Sequence, residues 1–402
     1  MGGSPVRQSR TRTFESRQRW GLWSLALVFA VPLGLTATPL RAEATVPSVS
    51  CGSTITADAV LTADLRCPSG DGLTLGPGVR LDLGGHSLVG PGSIGVGIAA
   101  EGADSGAIEI VNGTVKNWGT GFQLTASAAP VRISDVDFKK ANITLSYSSY
   151  PGTVDLTSIT AVDSVITGEL GPEITIVDSV LNRSPVSLFM ASARITNSSL
   201  TASTLDTSAQ GTITVDGSRL NGKNSVRLGS VSETAITITN STVKNYSLPI
   251  TGWYGGVTLQ GTVFTDMKEG VVGNISSGLG SEGTAVISGN TFIRSGEVLH
   301  PQIPMILENN TFRNNAIAAI FSVAQTLPGD TPLPPGRAVG NVVTKSSGTG
   351  IRADSSGLVV GGNTATSNGE YGIFAPDAVD LGGNKAYRNK LGQCVGVSCE
   401  AR

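Results

Sequence analysis

Ile287-Ser-Gly-Asn-Thr-Phe292 and, twenty residues on, Leu307-Glu-Asn-Asn-Thr-Phe312 are two copies of one pattern. An aliphatic residue opens it, a polar and turn-prone interval follows, and an apolar or small residue closes it five positions later. Working outward, the same pattern opens at Leu83, Ile110, Ile133, Leu156, Ile176, Ile195, Val215, Ile238 and Leu259 on one side, and at Ala338, Val360 and Leu381 on the other. The mean step is about 23 residues, a period in the range of solenoid repeats. Short β-branched pairs such as Ile213-Thr214 do not build helical repeats, whereas such a step suffices for three short strands and three turns. Coils of that kind stack with strands about 4.8 Å apart, and the stack buries what a single coil cannot. The fold class expected is therefore an all-β parallel β-helix solenoid of about 14 coils.

Asparagine recurs inside the pattern. Asn112, Asn197 and Asn240 lie two residues after the opening aliphatic, and Asn290, Asn310, Asn341, Asn363 and Asn384 lie three after it. Asn tolerates the left-handed backbone of tight turns and can hydrogen-bond from coil to coil. The row reads as a structural turn ladder, with Asp135 and Asp178 as weaker versions, rather than as a ligand-binding line.

Composition agrees. Of 402 residues, 14% are charged and 5% aromatic, 52 are Gly, and 44 Ser plus 41 Thr make about a fifth. That excludes coiled coils, collagen and simple disorder. The first 44 residues carry six Arg and two Glu, leaving 22 basic and 28 acidic residues beyond them. A mildly acidic body without clustered cations is a poor nucleic-acid binder. Residues 1–44 read as a secretory signal: five Arg, then an apolar run from Trp20 to Leu35 broken by Pro32 and Gly34, then Ala42-Glu43-Ala44 with cleavage expected after Ala44. The run falls short of a membrane span. A secreted chain with no membrane attachment after cleavage is expected, divided into an N-terminal cap (45–82), the repeats (83–392) and a C-terminal tail (393–402).

Four cysteines form two close pairs, Cys51 with Cys67 and Cys394 with Cys399. In an oxidising compartment they favour two local disulfides. A shared zinc site is the competing reading, but the spacing is not CxxC and the repeats put the pairs at opposite ends of a rod. No metal is expected.

The stretch from Cys51 to Gly92 resembles the N-terminal cap and first coil of secreted bacterial right-handed parallel β-helix proteins of the pectin-lyase-like superfamily, and Asn384 to Cys399 resembles the terminus of the same group. The resemblance spans about 51–399. It implies a right-handed solenoid, and His86 as a cap or first-coil residue. It does not imply an activity, because one fold hosts many. Uronate lyases of this fold use an Arg or Lys base above Ca²⁺ held by carboxylates, and polygalacturonases use NTD, DD, GHG and RIK motifs. Neither those motifs nor the WiDH, RxPxxR and DPHD signatures occur here. No cofactor is expected; Ca²⁺ enters as a possible one only if the protein is a lyase.

One region departs from background. The steps from Leu259 to Ile287 and from Leu307 to Ala338 are 28 and 31 residues, and the surplus should leave the coils as loops, the second being the Pro-rich Ala324–Arg337. Between them gather Asp266, Lys268, Glu269, Arg294, Glu297, His300 and Arg313. Counting from the openings places Asp266 and Arg294 on one lateral row with Arg183, and Arg313 one residue off it. Tyr246, Trp253 and Tyr254 lie just upstream, where exposed rings can stack on sugars beside Arg and Asp. Asp266, Lys268, Arg294 and Arg313 are the catalytic candidates; Tyr246, Trp253, Tyr254, Glu269, Glu297 and His300 are ligand-binding candidates. The expected function is binding or scaffolding of extracellular polysaccharide. The alternatives are a polysaccharide lyase or glycoside hydrolase with an atypical site, and a structural or adhesive rod.

Overall fold

A computed structural model describes residues 49–400 apart from 102–105, 126–129, 147–151, 225, 254, 277–282, 302, 322–335 and 354–355. Within the compact unit Val46–Arg402 the chain winds as a parallel β-solenoid of about 14 turns, with no helix among the described residues. Each turn contributes one strand to each of three sheets. Sheet 1 holds Thr153–Thr157, Glu173–Val177, Ser192–Thr196, Thr212–Asp216, Ala235–Thr239 and Gly256–Gln260. Sheet 2 holds the three-residue strands that follow, such as Val180–Asn182 and Val263–Thr265. Sheet 3 holds Val186–Phe189, Leu205–Ser208, Arg227–Ser232 and Leu248–Trp253. Every pairing is parallel, each strand to its counterpart one turn on.

The repeat openings stack in register from Ile110 to Val360 on sheet 1, fully buried. The ends differ from the sequence count. Ile110 pairs with Leu81 rather than Leu83. At the last turn Val360 faces Asp380, and a register shift leaves Leu381 outside, 56% exposed. The closing apolar positions stack on sheet 2. Phe264, Phe292 and Phe312 lie ring on ring there, with centroids 5.1 and 4.8 Å apart and planes within 14°.

The two Asn spacings are two structures, not one ladder. Asn112, Asn197 and Asn240 occupy the corner between sheets 1 and 2 with φ of 57°, 51° and 49°, the left-handed backbone that Asn adopts at low cost. Asn290, Asn310, Asn341, Asn363 and Asn384 come one residue later, where the side chain turns inward and is at most 1% exposed. Each Oδ1 accepts the backbone N–H of the preceding turn, as in Asn310 to Asn341 at 3.0 Å and Asn341 to Asn363 at 2.9 Å. The row continues upstream through Thr262, Ser241, Ser218, Ser198 and Ser179, whose hydroxyls take the same N–H. A parallel row lines the next corner, from Ser164, Ser184 and Ser203 to Asn368 and Asn389. These rows supply acceptors to backbone donors that the bending chain takes out of the sheets.

Cys51–Cys67 and Cys394–Cys399 are disulfides near the two ends, with Cα atoms 5.7 and 6.2 Å apart. The 1–44 segment lies outside the described residues, and among those no helix is long and apolar enough to cross a membrane.

Candidate functional site

Two regions emerge where the sequence suggested one groove. Asp266 and Arg294 sit in consecutive turns at the corner between sheets 2 and 3, with φ of 56° and 50°. The Arg294 guanidinium donates Nε to Asp266 Oδ1 at 2.7 Å and Nη2 to Oδ2 at 2.8 Å. That fork holds the Asp266 carboxyl below the usual carboxylate range, while burial pulls the other way. The same geometry recurs at the same corner between Asp163 and Arg183, at 2.5 and 2.8 Å. A paired, half-buried carboxylate held ionised by its own arginine is a clamp between turns. It is not set up to take up a proton near neutral pH, where a general acid must keep one.

Arg313 lies beside this corner, in register with Ile293. With Arg294 and Lys345 it lines a depression of about 410 Å³ whose other residues are Ile293, Asn314, Thr344, Thr366 and Ser367. Lys268 and Glu269 are exposed past the corner. Glu297 contacts His300 through Oε1 and Nδ1, both side chains more than a third exposed. Among the described residues no cluster of three His, Cys, Asp or Glu side chains could hold a metal.

The aromatic candidates separate. Tyr246 is wholly buried and is not available as a platform for a ligand. It follows the left-handed corner residue Asn245, so it occupies the inward-turning position that Ser203 occupies in the second internal row. Its hydroxyl donates to the Ser203 carbonyl at 3.2 Å, and burial pushes its pKa well up. Gly222 makes room, since a Cβ there would stand 2.7 Å from the Tyr246 ring. Tyr254 lies outside the described residues, as do 277–282 and 322–335, where the two long repeat steps place their surplus.

Trp253 is 64% exposed. It ends its sheet 3 strand at the edge opposite the Asp266 corner, so the structure does not join these candidates into one site. Gly252 before it is required, because a Cβ would overlap the Val231 carbonyl oxygen. Trp253 borders a trough of about 560 Å³ lined also by Thr207, Ser208, Arg227, Ser230, Val231, Ser232, Thr251, Gly252 and Asn274. Arg227 is the one ionisable lining residue among those described, and Nη2 donates to Asp206 Oδ1 at 3.2 Å. Ser230 Oγ binds the same carboxylate oxygen at 2.7 Å. Two lining groups, Thr207 Oγ1 and Arg227 Nε, are buried without a hydrogen-bond partner. Each such group costs about 1–3 kcal/mol, and an acceptor oxygen entering the trough would offset that cost.

Phe189 went unnoticed in the sequence. Val186 and Leu188 point inward, so the two-residue period of a strand turns Phe189 outward, 47% exposed. That parity was the available signal.

No family model matches the chain. No curated protein matches it. Among solved structures the chain is similar to the catalytic unit of a thermostable GH87 α-1,3-glucanase from Streptomyces thermodiastaticus strain HF3-3, at 15% identity and a TM-score of 0.36. The likeness covers 80% of this chain and 64% of that one, and at that TM-score it carries no functional argument.

Proposed function

We propose that this is a secreted β-solenoid that binds extracellular or cell-wall polysaccharide, stacking a sugar ring on Trp253. The observation that carries the reading is the indole itself, 64% exposed at the border of a trough whose remaining polar lining is hydroxyl, amide and one guanidinium. A ring with one apolar face and a hydroxylated rim matches such a surface. Among the described residues the lining offers no carboxylate pair, which glycosidic hydrolysis ordinarily uses, and its guanidinium is already engaged by Asp206. That favours binding over cleavage. The arginine-rich, apolar start of the chain and its two disulfides support export.

The test incubates the purified protein with acidic and neutral polysaccharides, with and without Ca²⁺, and follows polymer size by gel filtration and retention by affinity electrophoresis. Retention without shortening, lost in Trp253→Ala at unchanged melting temperature, is expected. Shortening of any polymer, or full retention by Trp253→Ala, overturns the reading.

A further inference from the structure

Among the described residues the outer column at the end of sheet 3 carries two exposed aromatic rings, not one. Phe189 pairs in register with Ser208, and Ser232 with Trp253. The Ala209 N–H donates to the Ser232 carbonyl and joins the two pairs. The order along the rod is therefore Phe189, Ser208, Ser232, Trp253. Three turn steps of about 4.8 Å separate the rings by about 14 Å. The floor between them is small and hydroxylated. The charge beside it cancels, Arg227 against Asp206, and the Asp206 carboxylate is occupied further by Ser230 and Thr204.

We infer that Phe189 is a second stacking platform and that the ligand is a neutral oligosaccharide lying parallel to the rod axis, with a ring on Trp253, a ring on Phe189 and intervening units over Ser208 and Ser232. This rests on the polysaccharide-binding reading and specifies its chemistry. A uronate or sulfate polymer gains little from a guanidinium whose charge is already compensated, and among the described residues its own charges meet no further cation in the trough. A neutral chain needs only apolar faces at the two ends and hydroxyl partners between them. The spacing also fixes a minimum length, because a disaccharide reaches one ring alone.

The test titrates the full protein, its Phe189→Ala variant and its Trp253→Ala variant with neutral oligosaccharides of increasing length and with an acidic series, at low and high salt, by isothermal calorimetry. The neutral length series is expected to gain about three- to tenfold in affinity once the chain reaches the second ring. Phe189→Ala should remove that step and leave the shortest binding oligosaccharide unaffected, and salt should not change affinity. An outward position makes the variant safe for folding, and unchanged unfolding midpoints check it. If an acidic series binds in a salt-dependent way and Trp253→Ala abolishes it, polysaccharide binding stands and the neutral, two-platform inference falls. A length step that survives Phe189→Ala overturns the inference in the same way. Binding that survives Trp253→Ala removes both.

Discussion

Replacing Asn341 by Ala should be among the most damaging single changes a polar side chain here can suffer. Asn341 is fully buried. Its Oδ1 accepts from the backbone N–H and from Nδ2 of Asn310, both at 3.0 Å. Its Nδ2 donates to the Leu307 carbonyl at 2.9 Å and to Asn363 Oδ1 at 3.0 Å. Alanine leaves the Asn310 N–H in a dry interior with no acceptor, which costs about 1–3 kcal/mol, and forfeits donor bonds of about 1 kcal/mol each. A total of about 3–5 kcal/mol follows. Unfolding in guanidinium chloride, followed through the buried Trp118, measures it as a lowered midpoint at constant slope. The neighbouring Asn309 is the control: it holds a left-handed corner at φ 57°, and its alanine variant should lose only about 1 kcal/mol of backbone preference. Asn341→Asp keeps the acceptor but sets a carboxylate against the Leu307 and Asn363 oxygens, so it should be worse than alanine at neutral pH and recover as the carboxyl protonates. A loss below about 1 kcal/mol for Asn341→Ala, equal to that of the Asn309 control, would refute the assignment of the inner row as an energetic element.

Two further outcomes concern the end and the corner. Cys51→Ser with Cys67→Ser opens a loop of separation 16 and should lower stability by about 3 kcal/mol in the chain-entropy account, read as a drop in unfolding midpoint that reductant reproduces in the parent. The Asp266–Arg294 clamp should show a small coupling in a double-mutant cycle. Because Asp266 is held below its unfolded value, that coupling is present above the usual carboxylate range and is lost as pH falls through the lowered folded value. Arg294→Ala should leave glycan retention intact, and a coupling that persists in strong acid would contradict the pairing.

Much of the architecture was legible because the interior imposes one spacing. Openings such as Ile195 and Leu307 recur where the core demands an aliphatic residue, and their partners five places on, Leu200 and Phe312, recur with them. The ends were less legible. A cap has no neighbour to match, so Leu83 took the place of Leu81, and Leu381 was expected where Asp380 stands. The two Asn spacings looked like scatter in one row because a single residue step at a corner separates a side chain facing solvent from one facing the core. The same step explains Tyr246, whose ring type suggests a surface platform while its place after Asn245 dictates burial. Trp253 was visible as a rare exposed-type residue. Phe189 was not, since its outward phase is apparent only once the strand Val186–Phe189 is fixed in register. The Asp266 cluster gathered scarce charges, but their meaning depends on the bidentate contact and on its repetition at Asp163 and Arg183, which spacing alone does not disclose.

The inner rows give the rod a grammar. A Ser rung holds the turn before it through one bond, accepting its N–H as Ser179 does from Ile159, and spends its own proton within its turn, on the Val177 carbonyl at 2.7 Å. An Asn rung also grips the turn before it, as Asn363 does on the Ala338 carbonyl at 2.8 Å. Each rung asks the following turn only for a like side chain at one position. A turn duplicated between Asn341 and Asn363 would therefore arrive with both its partners already in place, and the molecule could lengthen by copying. At its far end the syntax closes: Asn384 meets Asp380, and Asn389 meets Gln393, within the same turn. Asp380 and Gln393 end the two rows by taking the amide donors that a further rung would otherwise take.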